Sequence, residues 1–143
     1  MAKQKPVIKM LTYGIHSQWQ SKSKELPQVK EFTTDIPAQI DIEFGFIVNI
    51  KKARGSKIRY CIDHPGILDD AGNLRAPFDG VVHVTNNDWS FYLGDTIWAP
   101  IADKCGQWRM TIELNDRIIA DKTFHISQPE KHNEADFWKR VGY

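Results

Sequence analysis

A chain of 143 residues is long enough for one domain that buries roughly 70% of its unfolded surface without disulfide or metal staples. With 41% hydrophobic and 26% charged residues it has the composition of a globular domain, not of a disordered or fibrous chain. Its net charge of +1 provides no overall field to recruit nucleic acid or acidic lipid, and no apolar run approaches the ~20 residues of a membrane helix.

The N-terminus, MAKQKPVIKMLTYG, is basic, but Lys9 interrupts its apolar patch and no small-residue cleavage site follows. It does not read as a signal peptide, so a cytoplasmic location is expected. Residues 7–15 form a first strand, with Val7, Leu11, Tyr13 and Ile15 in phase and Lys9 out of keeping. Residues 16–39 are polar, hold two prolines, and read as one long connection, with Trp19 anchoring it or awaiting a partner. The second strand is the clearest: Ile40, Ile42, Phe44, Phe46, Val48 and Ile50 alternate with Asp41, Glu43, Gly45, Ile47, Asn49 and Lys51. This pattern suits a sheet packed on one face.

After a basic turn, Ile58, Tyr60 and Ile62 share a face in a third strand that ends at His64-Pro65-Gly66. A turn-rich crossing over 69–80 leads to a hairpin in which Asn86-Asn87 pairs Val84 with Trp89 and Val82 with Phe91. Residues 97–100 bridge to a closing hairpin, CGQWRMTIELNDRIIADKTFHI. There Trp108, Met110, Ile112 and Leu114 face one way, and Ile118, Ala120, Phe124 and Ile126 share a parity. A three-residue loop, Asn115-Asp116-Arg117, keeps these sets on one face by pairing Leu114 with Ile118, Ile112 with Ala120 and Trp108 with Phe124. In the tail, Asn133 caps a short helix carrying Phe137 and Val141, which closes an end of the sheet or docks on another protein.

Seven short strands with hairpin turns predict one domain over 1–143, an all-β, two-layer antiparallel sandwich with a C-terminal helix; an eight-stranded barrel would need a further strand from 16–39. The segment TTDIPAQIDIEFGFIVNI, the His64-Pro65 pair and the closing pattern with Gly106, Trp108, Ile112, Arg117 and Phe124 resemble a family of small bacterial proteins known only as a domain of unknown function. The resemblance spans about residues 33–126 and departs at Trp98-Ala99-Pro100, where an acidic residue is expected after the tryptophan. It implies an immunoglobulin-like sandwich and brings no activity, cofactor or catalytic residue.

Chemistry-bearing motifs are sparse. Asp63, His64, Asp69, Asp70, Asp79 and His83 are a generic oxygen and imidazole set for a divalent metal, but DDAGN lacks the spacing of a calcium loop, and neither HExxH nor CxxC occurs. Asp41 and Glu43 on one strand face make a weak carboxylate pair, and no GxSxG elbow is present. Cys61 and Cys105 are expected to stay reduced; a catalytic thiol needs a base beside it. Lys51, Lys52, Arg54, Lys57 and Arg59 cluster at one turn and suit a phosphate or nucleic-acid backbone, although no aromatic is interleaved for base stacking.

Trp89 and Trp108 fall in phase with core residues, whereas Trp19, Trp98 and Trp138 lie outside the alternating strands. The expectation is therefore a non-enzymatic module that needs no cofactor and binds another protein through Trp98, Ile97, Pro100, Trp19 and Trp138.

Overall fold

The structure is a computed structural model that describes residues 5–18 and 25–128. Among these residues nine strands form two stacked sheets. In chain order they are β1 (Val7–His16), β2 (Val29–Glu31), β3 (Asp35–Pro37), β4 (Glu43–Lys51), β5 (Lys57–Asp63), β6 (Phe78–His83), β7 (Asp88–Thr96), β8 (Gly106–Leu114) and β9 (Arg117–Ser127). A 3-10 turn, Ala102–Lys104, precedes β8. One sheet has the order β2-β1-β4-β7 and the other β3-β9-β8-β5-β6, so the sandwich is established and the barrel is not formed. The predicted helix around Asn133 lies outside the described residues.

The core forms where the alternating residues of β4 meet those of β8. Phe44, Phe46, Val48 and Ile50 point at Trp108, Met110, Ile112 and Leu114, each at most 3% exposed. Burying each such side chain contributes about 1.5–3 kcal/mol relative to leaving it in water. Phe44 meets Trp108 and Phe124 edge-on at 5.2 and 5.7 Å between ring centres, an arrangement that sets ring edges against ring faces.

Several local expectations are corrected by tertiary pairing. The long connection 16–39 supplies two short edge strands, and β3 runs parallel to β9, so the second sheet is mixed. In β1 a register shift between Met10 and Thr12 changes the phase. Ile8 and Met10 pack on the core while Val7 and Leu11 are exposed, so Lys9 on the outer face is regular after all. Asp41, at φ 73°, turns the chain before β4 begins, leaving Ile40 52% exposed and Asp41 off the strand that carries Glu43. The hairpin expected across Asn86-Asn87 does not exist. β6 pairs with β5 and β7 with β4, so the connection 84–87 passes from one sheet to the other.

The closing hairpin combines both readings of its turn. Asn115 and Asp116 sit at φ 50° and 65°, a two-residue turn that pairs Leu114 with Arg117. A bulge between Ile112 and Glu113 then absorbs one residue and restores the Ile112–Ala120 and Trp108–Phe124 pairs. Ile118 is consequently exposed. Replacing Asp116 with glycine is expected to raise stability by about 0.5 kcal/mol in urea unfolding, because a left-handed residue without a side chain is unstrained there. A three-residue loop, with left-handed backbone only at Arg117, would instead lose stability on that substitution.

Candidate functional site

The strands run between two unlike ends, separated by roughly 30 Å for a nine-residue strand such as β7. One end carries the β4–β5, β6–β7 and β8–β9 connections and is basic. The other carries residues 64–77 and 97–105 and is aromatic. Between them, along one side of the sandwich, the edge strands β6 and β7 leave a seam.

At the aromatic end the predicted patch is mostly internal structure. Ile97 is 1% exposed in the core, so its side chain is not available to a partner. Trp98 is half-buried, edge-on to Trp108 and beside Phe78, both at 6.3 Å between ring centres. The Lys104 ammonium, wholly buried, lies 4.3 Å from the Trp98 ring centre. It donates to the Pro100 carbonyl at 2.9 Å and pairs with Asp103. Charge, acceptor and aromatic face together satisfy a lysine that burial alone would penalise. Pro100, which follows a cis peptide bond, is exposed. Trp19 and Trp138 lie outside the described residues.

The seam is a cavity of about 330 Å³ bordered by Tyr60, Phe78 and Val82 on one side and Phe91, Leu93 and Asp95 on the other. Its cause is the thin inner face of β6: between Phe78 and Val82 stands Gly80, whose missing side-chain space is taken by the Tyr60 ring. Among the described residues no strand pairs with the outer edge of β6 or of β7. Among the described residues Asp95 is the one acidic group on this lining. Burial pushes its carboxyl up to about 6, the neighbouring Glu43 charge adds to the rise, and the Thr96 N–H, His64 and Lys104 oppose it.

On the outer face of the four-stranded sheet a polar cluster is buried, where the alternation predicted a wet surface. Glu43 is 4% exposed and accepts from the Tyr92 hydroxyl at 2.6 Å and the Thr96 hydroxyl at 2.7 Å. Tyr92 reaches it by lying over Gly94, where any side chain would strike the phenol. Burial, then the Glu43 charge, raises the Tyr92 hydroxyl far above its usual range. His16 stands 5.3 Å from Tyr92 between ring centres. Its Nδ1 donates to the Gly14 carbonyl, so Nε2 is left to accept from the Thr12 hydroxyl. Burial lowers its pKa. Every member thus has a partner, which makes the cluster a structural network.

The metal set is dispersed. Among the described residues no three His, Cys, Asp or Glu groups stand close enough to hold an ion. Both His64 nitrogens face carbonyls, of Pro65 at 2.7 Å and Ala76 at 2.9 Å. Asp69 accepts from the Ala71 and Asn73 amides of its own turn, while Asp63 on β5, Asp70 in the connection 64–77, and Asp79 and His83 on β6 are exposed. Cys61 and Cys105 are free, and burial raises the Cys61 thiol with further help from Asp63 and Asp79, away from nucleophilic use. At the basic end Lys51, Lys52, Arg54, Lys57 and Arg59 are all exposed. Sequence reasoning missed Asp95 and the Glu43–Tyr92 pair. The signal available was the even spacing of Tyr92, Gly94 and Thr96, legible only if 88–96 is taken as one long strand beside β4.

Two measurements test these assignments. Tyr92→Phe leaves buried Glu43 one donor short and is expected to lower stability by about 2 kcal/mol in urea unfolding at pH 7. For Asp95, the folded carboxyl keeps its proton to about pH 6, whereas an unperturbed one releases it near 3.8. The folded state then binds more protons in that interval, so this group's contribution to stability falls as pH rises from about 4 to 6 and stays low above it. Asp95→Asn is expected to be the more stable protein by ~2 kcal/mol at pH 7.5, the difference vanishing near pH 4. His16, with its lowered pKa, acts oppositely, losing stability as pH falls below about 6.5, but it is common to both proteins and cancels in the difference.

The model of a family described as a domain of unknown function, DUF3859, matches residues 4–126. Among solved structures, an immunoglobulin-like protein from Pseudomonas aeruginosa is similar, with a TM-score of 0.70 and 21% identity, over 89% of this chain and 100% of that one. At that identity the likeness shows the fold alone. No curated protein matches.

Proposed function

We infer a non-enzymatic binding role for this chain, which belongs to the DUF3859 family of domains of unknown function. The binding surface is the seam between β6 and β7, and its occupant is an extended, apolar segment of a partner protein. The observation that carries this reading is the coincidence of an apolar cavity with two strand edges that no strand among the described residues pairs with. Unpaired edges offer backbone donors and acceptors to an added strand, and a cavity beside them accepts every second side chain of that strand. Phe91 stacks on Trp89, and Tyr60 approaches Phe91 at 6.1 Å, so the lining is held by aromatic contacts before any partner arrives. Phe78 carries the lining toward Trp98 at the aromatic end, which gives the half-buried tryptophan a place at the margin of the surface.

A displayed library of random peptides selected on the immobilised full chain tests the proposal. Enriched peptides should alternate apolar and polar residues and shift the backbone resonances of Val82, Phe91 and Asp95. Val82→Glu, at a half-buried edge position, is expected to weaken them at least about tenfold while the domain stays folded. Peptides with no alternation, or peptides that bind Val82→Glu as well as the parent, would refute a seam-bound strand.

A further inference from the structure

We propose that the basic end holds a site for a small ligand carrying two or more phosphate groups, centred on Lys5, Lys52 and Arg54. These three cations line a hollow of about 620 Å³ together with Ser56, Asn115 and the buried Ala53, and among the described residues no carboxylate lines it. The ion pairs among the described residues are Lys104–Asp103 and Arg109–Asp121, so none of the three cations is neutralised at contact distance. In a chain whose net charge is only +1, this is a marked local asymmetry. It also draws in Lys5, which lies outside the basic turn in sequence and arrives there because β1 pairs with β4, Val7 opposite Lys51.

The hollow is built on fixed backbone. Lys52 and Gly55 take left-handed conformations at φ 65° and 88°. The turn is tied to the connection between β6 and β7 by four bonds: Lys52 N–H to the Asn87 carbonyl, Arg54 N–H to the Asn87 side chain, Gly55 N–H to the Val84 carbonyl, and Val84 N–H to the Ser56 carbonyl. Cations anchored this way lose less freedom on binding than cations on a loose loop. The Arg54 guanidinium offers a planar fork suited to two phosphate oxygens, and the lysines supply point charges beside it.

Size and lining choose the ligand class. The volume falls within the roughly 300–1,000 Å³ of small-molecule sites. Among the described residues no aromatic lines the hollow, so these residues offer a single-stranded nucleic acid no platform for its bases. A neighbouring hollow of about 530 Å³ shares Ser56 and Asn115 and holds Lys57 and Arg59. It also holds Glu113 and Asp116, whose charges offset that pair and confine the anion site to the first hollow.

Calorimetric and NMR titration of the full chain with inorganic tripolyphosphate, at constant ionic strength near 0.1 M, tests the site. Saturable one-to-one binding is expected, with shifts confined to Lys5, residues 52–56 and Asn115. Lys52→Gln and Arg54→Gln should each weaken it about tenfold. Arg54→Lys should fall between Arg54→Gln and the parent, and Lys30→Gln, an exposed cation on β2, should leave affinity unchanged. Uptake that never saturates, or that Lys30→Gln weakens equally, would reduce the effect to general charge attraction and overturn the proposal. Tighter binding of a twenty-nucleotide single strand than of tripolyphosphate would overturn the assignment to a small ligand in favour of nucleic acid.

Discussion

Trp108 is fully buried between the two sheets, edge-on to Phe44, with its Nε1–H donating to the Lys104 carbonyl at 2.7 Å. That bond satisfies the one polar group of the largest core side chain and at the same time fixes the 3-10 turn at Ala102–Lys104. The turn in turn places the Lys104 ammonium beneath Trp98 and against the Pro100 carbonyl. The aromatic end is thus an outward continuation of the core. Its residues are engaged in closing the sandwich, which is why Trp98 and Ile97 offer less free surface than their place between strands suggests.

The two sheets are fastened unequally along their sides. On the side of β2 and β3, edge strands come from the long connection, and β3 is joined to β9 as well as touching β1. On the side of β6 and β7 the chain passes between sheets at the basic end and nothing among the described residues covers the edges. With Gly80 on the inner face of β6, the sheets there meet over too few side chains to fill the gap, and the seam results. The polar cluster of Glu43, Tyr92, Thr96 and His16 lies on the outer face of the sheet that bears β7, so the seam's second wall is held from behind by a satisfied hydrogen-bond network.

A large share of the architecture was legible in the residues. The alternations Phe44 to Ile50 and Trp108 to Leu114 specify two strands with a common apolar face, and the pairs Ile112–Ala120 and Trp108–Phe124 follow from keeping that face buried. The immunoglobulin-like sandwich and the family were recognisable from the same stretches. Periodicity fails where pairing overrides it. A bulge reverses the phase of β1 after Met10, and another resolves the conflict between a tight Asn115-Asp116 turn and a buried register. Val84 and Trp89 look like hairpin partners because a sequence records which face of a strand is apolar, not which sheet the strand joins.

The candidate sites divide on the same line. The basic turn, Lys51 to Arg59, is local in sequence and was visible as a cluster of like charges. Its completion by Lys5, and the exclusion of acids from one hollow and not the other, required β1 and the β8–β9 turn to be brought beside it. The seam was invisible, since it is a gap between strands of different sheets and exists only once their edges are placed. Alternation and turn chemistry, which act over a few residues, determined the strands, the core face and the class of fold. Sheet membership, bulges and the burial of Glu43 and Lys104 depend on contacts between residues far apart in the chain, and only the tertiary structure decided them.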